Sequence, residues 1–251
     1  MNTVPTLSDT KRRFYAKHNR PISSIYRRFL EELMVEMHLL SVNNGFAYDA
    51  IYALGVVTTF DRFMEGYEPQ TDQTSIFESL CLAINSSPDQ YRQDATTLME
   101  SCQALTLDAL LGGLQQEIQA PSTALLLPIL KTIAQNHSFK YSRLFAIGFL
   151  RLLEQAESEL IQDKAKLETV LDSLAEALAL PAEKMKKDAE MYLSSLDKMG
   201  QARLLMEEMV QTERKRREQR EQDKKEQTPD TPDSAPENCS TPDTEDVSTP
   251  E

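Results

Sequence analysis

Apolar residues recur along most of the chain at spacings of three and four, the period of one face of an α-helix. The clearest run is Ile22, Ile25, Tyr26, Phe29, Leu30, Leu33, Met34 and Met37. It predicts a helix opened by Pro21, whose missing N–H would be unpaired in a first turn anyway. Asp49 is placed to cap a second helix through Val56, Val57, Phe60 and Phe63, ended by Gly66 and Pro69. Ser75 with Glu78 has the capping-box spacing and predicts a third start, burying Phe77, Leu80, Cys81 and Ile84. Ser87-Pro88-Asp89-Gln90 combines that spacing with a first-turn proline and opens a fourth. Further helices are expected from Thr106, Pro121, Ser138 and Ser158, separated by Gly112-Gly113, Asn136-His137 and a turn near Ala156. No stretch reads as a strand, so the pattern predicts an all-α fold: a compact multi-helix domain with short connections.

From Ala182 the pattern lengthens. Met185, Ala189, Tyr192, Leu196, Met199, Arg203, Met206 and Val210 alternate spacings of three and four as a coiled-coil seam does. Beyond Val210 the same positions are Glu213, Arg217, Arg220 and Lys224, while Glu213–Arg217 and Glu221–Lys225 offer i,i+4 ion pairs. One long helix follows, packed at its start and solvated from about Gly200. Met206, Met209 and Val210 are its distal apolar group, able to dock on a partner because methionine adapts to irregular grooves. Residues 228–251 hold seven acids, no bases and five of the twelve prolines, too little apolar surface to offset ordering entropy. The expected division is therefore a disordered N-terminus over 1–8, a helical body over 9–180, the long helix over 181–227 and a disordered acidic tail over 228–251.

Composition narrows the chemistry. Leucine occurs 32 times against 18 for valine and isoleucine together, which favours helix. Seven glycines form no phosphate-cradling or nucleophile-elbow motif. Cys81, Cys102 and Cys239 are far apart, without the paired spacing that zinc needs. The first two lie on apolar faces and read as small buried hydrophobes, and Cys239 has no base beside it to lower its pKa. The histidines, His18, His38 and His137, have Tyr15, Val35 and Ala134 three residues before them, so the Glu-x-x-His pair of a di-metal bundle is not encoded. Glu36 and His38 lie about 200° apart on a helix, which makes salt-bridged or solvated surface the expectation for both. No cofactor is implied. No apolar run reaches the roughly 20 residues of a bilayer span, and the N-terminus lacks a basic segment followed by an apolar stretch, so a cytoplasmic location is expected.

One segment asks for a function. Residues 11–28 carry Lys11, Arg12, Arg13, Lys17, Arg20, Arg27 and Arg28 without an acid, interleaved with Phe14, Tyr15 and Tyr26. Arg27 and Arg28 can pair with Glu31 and Glu32 four residues on, which leaves five cations before Pro21 unexplained. At a membrane surface each cation near anionic lipid contributes about 1 kcal/mol; at a protein surface arginines pair with carboxylates. A helical nucleic-acid-binding regulator using 11–28 is the alternative. It is disfavoured by the acidic body, where residues 1–227 carry 33 acids against 27 bases, and by the absence of a recognised motif.

Long strings of residues carry a family resemblance. Ser8-Asp9-Thr10-Lys11-Arg12-Arg13-Phe14-Tyr15, Arg20-Pro21-Ile22, Ile25-Tyr26-Arg27-Arg28 and the run from Glu31 to Leu40 are followed by the run from Tyr52 to Met64 and by Tyr91-Arg92-Gln93-Asp94-Ala95. Over roughly residues 8–200 the chain resembles the thylakoid-formation family of photosystem II biogenesis proteins. The resemblance implies an all-helical, non-enzymatic auxiliary factor in photosystem II assembly and repair and in thylakoid membrane organisation. It also implies peripheral association with the thylakoid membrane and partners such as the membrane-bound FtsH-type protease. Plant members begin with a transit peptide, so the resemblance points to a cyanobacterial member.

Overall fold

The computed structural model describes residues 4–114 and 120–226, with side chains through Glu221. Ten α-helices and one short 3-10 turn make up its regular structure, with no strand among the described residues. They are α1 (Leu7–Lys17), α2 (Ser24–Ser41), α3 (Ala50–Phe63), α4 (Gln70–Ala83), α5 (Pro88–Ser101), α6 (Leu107–Leu114), α7 (Leu126–Gln135), α8 (Arg143–Ala156), α9 (Lys164–Leu178) and α10 (Ala182–Glu226), the 3-10 turn Pro121–Thr123 preceding α7. The chain divides into two units between Leu204 and Leu205. The acidic tail and Cys239 lie outside the described residues.

Two helices organise the first unit. In α3, Ile51 to Val56 and Thr58 to Phe60 are buried, and in α8 Leu144 to Leu150 are buried. A helix apolar all round must sit inside the fold. The two cross so closely that a Cβ built on Gly55 would lie 1.7 Å from the Leu144 carbonyl oxygen, and one on Gly148 would lie 1.9 Å from that of Ile51. Only glycine allows this backbone-on-backbone contact. Around the pair, α5 packs on α3, α1 packs on α4 and α2, and α6, α7 and α9 pack together.

Local chemistry sets several helix ends as expected. Asp49 accepts from the Tyr52 N–H at 2.8 Å, Ser87 accepts from Gln90 at 3.3 Å, and Thr106 accepts from Ala109 at 3.2 Å. A helix not expected from the pattern, α1, opens at Leu7, where Thr6 and Asp9 form a reciprocal capping box. Other expected starts move. Pro21 precedes α2, which begins at Ser24. Ser75 lies inside α4, its hydroxyl engaged by His18 instead of an N-terminus. The start expected at Ser138 falls in a turn closed by Asn136, and α8 begins after Ser142, whose hydroxyl accepts from Phe145. The start expected at Ser158 moves to Asp163, which caps α9 by accepting from Lys166. Gly112 and Gly113 do not break a helix; both are buried within α6.

The long helix begins at Ala182 as the pattern predicts. Met185, Ala189, Tyr192 and Met199 are buried, so this part of the seam is core. Arg203 is tolerated in it because its guanidinium donates to the Glu65 carbonyl at 2.7 Å and meets the Glu65 carboxylate at 3.0 Å. In the second unit, the described side chains of 205–221 are exposed. Among its described side chains the ion pairs are Arg214–Glu218 and Arg217–Glu221, so Arg217 pairs forward rather than back to Glu213, and the Lys225 side chain lies outside the described residues. Such exposed pairs contribute little to stability.

Candidate functional site

The basic segment is folded into α1, the loop after it and the first turns of α2. Lys11 Nζ lies 3.0 Å from Glu31, Arg12 lies 2.8 Å from Asp9, Arg20 lies 2.5 Å from Asp72, and Arg28 lies 3.2 Å from Glu32. Arg13 donates to the Asn85 side-chain oxygen at 3.1 Å. Most of the cations that local sequence left unexplained are therefore met by groups 20 to 72 residues away. Lys17 and Arg27 are exposed and have no ion pair among the described residues. The Lys11 ammonium, donating to Glu31, is the main cause that holds this carboxyl below its usual range.

The aromatic members separate. Phe14 is 1% exposed and belongs to the core, so it is unavailable to any partner. Tyr26 is buried too. Tyr15 remains at the surface, its hydroxyl donating to Glu31 at 3.2 Å. What the segment presents outward is thus a partly neutralised surface with Lys17 and Arg27 uncommitted, rather than a continuous aromatic and cationic strip.

Two of the three histidines, His18 and His38, are internal ties, and His137 is exposed. His38 is buried, contrary to the expected surface position, and its Nδ1 lies 3.0 Å from the Thr10 hydroxyl, joining α2 to α1. Glu36, on another face of α2, accepts from Arg143 Nη2 at 2.6 Å and from the Leu144 N–H at 3.3 Å. His18 is 2% exposed with Nδ1 3.2 Å from Ser75, and burial lowers its pKa. Cys81 and Cys102 are buried as expected, and burial pushes the Cys81 thiol up to about 12, far from a reactive thiolate. No group of three His, Cys, Asp or Glu able to hold a metal occurs among the described residues.

The distal group of α10 is where the sequence placed it: Met206 is 43%, Met209 63% and Val210 65% exposed, with Leu205 beside them at 59%. Clustered exposed apolar side chains of this kind are uncommon on protein surfaces. Sequence reasoning passed over Leu205, although its position four before Met209 puts it on the same side of the helix.

Among the described residues an all-α fold, with His18, His38, Cys81 and Cys102 enclosed in its core, defines a helical-domain protein. The chain belongs to the thylakoid formation protein family, whose sequence model matches residues 6–221. It is 53% identical to Protein Thf1 of Nostoc punctiforme over 216 residues, covering 86% of this chain and 92% of that one. Protein Thf1 of Cyanothece sp. is 52% identical over 225 residues, covering 86% and 91%. Among solved structures, that of Psb29 superposes with a TM-score of 0.75 at 47% identity, covering 85% of this chain and 98% of the other.

Proposed function

We propose that this protein is a non-enzymatic auxiliary factor in photosystem II biogenesis and repair and in thylakoid membrane organisation, and that it works by binding membrane machinery such as the FtsH protease. Membership of the thylakoid formation family carries the reading. In this reading its association with the thylakoid membrane is peripheral, and no helix among the described residues is long and apolar enough to cross a membrane. The exposed group Met206, Met209 and Val210 is the proposed docking point, with Lys17 and Arg27 as a second, electrostatic contact. The nucleic-acid alternative loses support because Lys11, Arg12, Arg20 and Arg28 already face carboxylates.

The test is crosslinking of tagged full-length protein in thylakoid membranes, followed by identification of the captured chains. FtsH-class protease should be recovered at moderate salt. Replacing Met206 and Val210 with serine should reduce that recovery while leaving the melting temperature unchanged, since neither side chain is packed. Absence of the protease from the wild-type capture would refute the partner, and undiminished capture by the variant would refute the docking point.

A further inference from the structure

Two depressions on the first unit share a wall. One, of about 920 Å³, is lined by charged residues of α1, α2, α8 and α10; the other, of about 420 Å³, is floored by apolar ones. Arg28, Glu32, Glu36 and Arg143 line both, so the two adjoin along α2 and the start of α8. The smaller depression, mainly apolar and opening beside the charged one, has the size and lining of a small-molecule site.

The smaller half is mainly apolar. Phe29, Leu33, Phe63, Ile147, Met191 and Met199 form it, with the Phe29 and Phe63 rings stacked at 4.4 Å. Of its three hydroxyls, two face their own helices: Thr59 donates to the Gly55 carbonyl at 2.6 Å and Ser195 to that of Met191 at 2.7 Å; the third belongs to the buried Tyr192. Met191 is 47% exposed at this wall, an apolar side chain left in solvent beside an open cavity.

The charged half has an excess of positive charge. Glu31, Glu32 and Glu36 are taken by Lys11, Arg28 and Arg143, and Asp188 accepts from the Tyr141 hydroxyl at 2.8 Å. Arg27 acts on Glu31 only through its field, and Lys184 lies over the Tyr141 ring at 5.0 Å. Neither has an ion pair among the described residues, and nor does Lys198 on the wall of the apolar half.

We propose that this paired groove binds an anionic amphiphile, its acyl chain against Phe29, Phe63 and Met191 and its acidic head beside Arg27 and Lys184. A peptide fits less well. The walls are sides of helices whose backbone groups are already hydrogen-bonded within those helices, so an extended peptide would bury N–H and C=O groups without partners. An acyl chain has none to bury. This site is separate from the exposed group on α10 and does not depend on the protease reading.

The experiment uses the full chain and dodecanoate below its micelle concentration, followed by titration calorimetry and native mass spectrometry. One saturable site is expected, with dodecanol bound at least tenfold more weakly. Arg27→Glu with Lys184→Glu, both exposed, should weaken dodecanoate at least tenfold. Ser195→Trp should fill the cavity and abolish binding, and Met191→Asp, at an exposed position, tests the same wall should the tryptophan variant fail to fold. The source is separated by competition. Displacement of dodecanoate by phosphatidylglycerol vesicles but not phosphatidylcholine vesicles would support the site and make the ligand a bilayer lipid; binding without such displacement would support it with a free acid. No saturable dodecanoate binding by the wild type, with or without binding to vesicles, would overturn the proposal and leave the groove to a peptide. Equal affinity for dodecanol, or undiminished binding by the folded cavity variants, would also overturn it.

Discussion

Replacing Gly55 with alanine adds one carbon at the crossing of α3 and α8, where it would lie 1.7 Å from the Leu144 carbonyl oxygen and 2.7 Å from its carbon. Ordinary contact begins near 3.4 Å, so the helices must part by more than an ångström, because the obstacle is backbone and has no rotamer to turn. A radial gap of 0.5–1 Å already forfeits about a quarter to a half of each van der Waals contact across it. Phe60, Phe145, Ile147 and Phe149 lie within these two helices and are fully buried or nearly so. Overpacking alone costs about 1–3 kcal/mol; with the lost contacts the expected destabilisation is about 3–5 kcal/mol, against less than about 1 kcal/mol gained from helix propensity. Gly200→Ala is the internal control. It lies inside α10 with nothing within 4 Å of its added carbon, so propensity acts alone and should stabilise by about 0.5–1 kcal/mol. Urea denaturation followed by far-UV circular dichroism measures both. For a domain of this size 1 kcal/mol is about 2–4 °C in melting temperature, so the two variants should shift in opposite directions. A Gly55→Ala midpoint equal to that of Gly200→Ala would refute the close crossing. Gly148→Ala should be comparably costly, and the double variant should cost less than the sum, since helices already parted need not part again.

Leu33 is 3% exposed on the core face of α2, and Leu33→Ala should cost about 2–5 kcal/mol; no measurable change in denaturation midpoint would show that face to be unpacked. Burial raises the Asp49 carboxyl from 3.8 to about 6. Because the folded state then holds the proton more tightly, this group's penalty grows as pH rises from about 4 to about 6 and is complete at pH 7, where it amounts to roughly 3 kcal/mol. Asp49→Asn keeps a good capping residue and should stabilise the protein by up to about 3 kcal/mol at pH 7 and hardly at all near pH 4; a pH-independent difference would contradict the assignment. Ala179 ends α9 at φ +53°, with Leu180 N–H bonding the Ala175 carbonyl at 2.8 Å. Glycine suits that left-handed position, so Ala179→Gly should raise stability by about 1 kcal/mol, and a lowered midpoint would refute the strain.

The sequence by itself determined the helical class, the faces that are buried and the long C-terminal helix. Each rests on periodicity or capping within a few residues, as in the run from Ile25 to Met37, Asp49 before Tyr52, and Ser87 before Gln90. It also marked Met206, Met209 and Val210, because an apolar group in a polar stretch is visible locally. Where a capping residue had an alternative partner, the local signal misled: Ser75 had the right spacing, yet its hydroxyl serves His18, 57 residues away. The basic segment misled for the same reason, since Lys11, Arg13 and Arg20 are met by Glu31, Asn85 and Asp72, which no local pattern connects to them. Phe14 and His38 likewise turn inward only because α1 lies against α2 and α4. Tertiary structure alone decided the Gly55–Gly148 contact, the Glu36–Arg143 pair and the groove which that pair lines. Periodicity states which face of a helix is apolar, but which helix covers that face, and how near it comes, depends on side-chain volumes from distant segments meeting in one place.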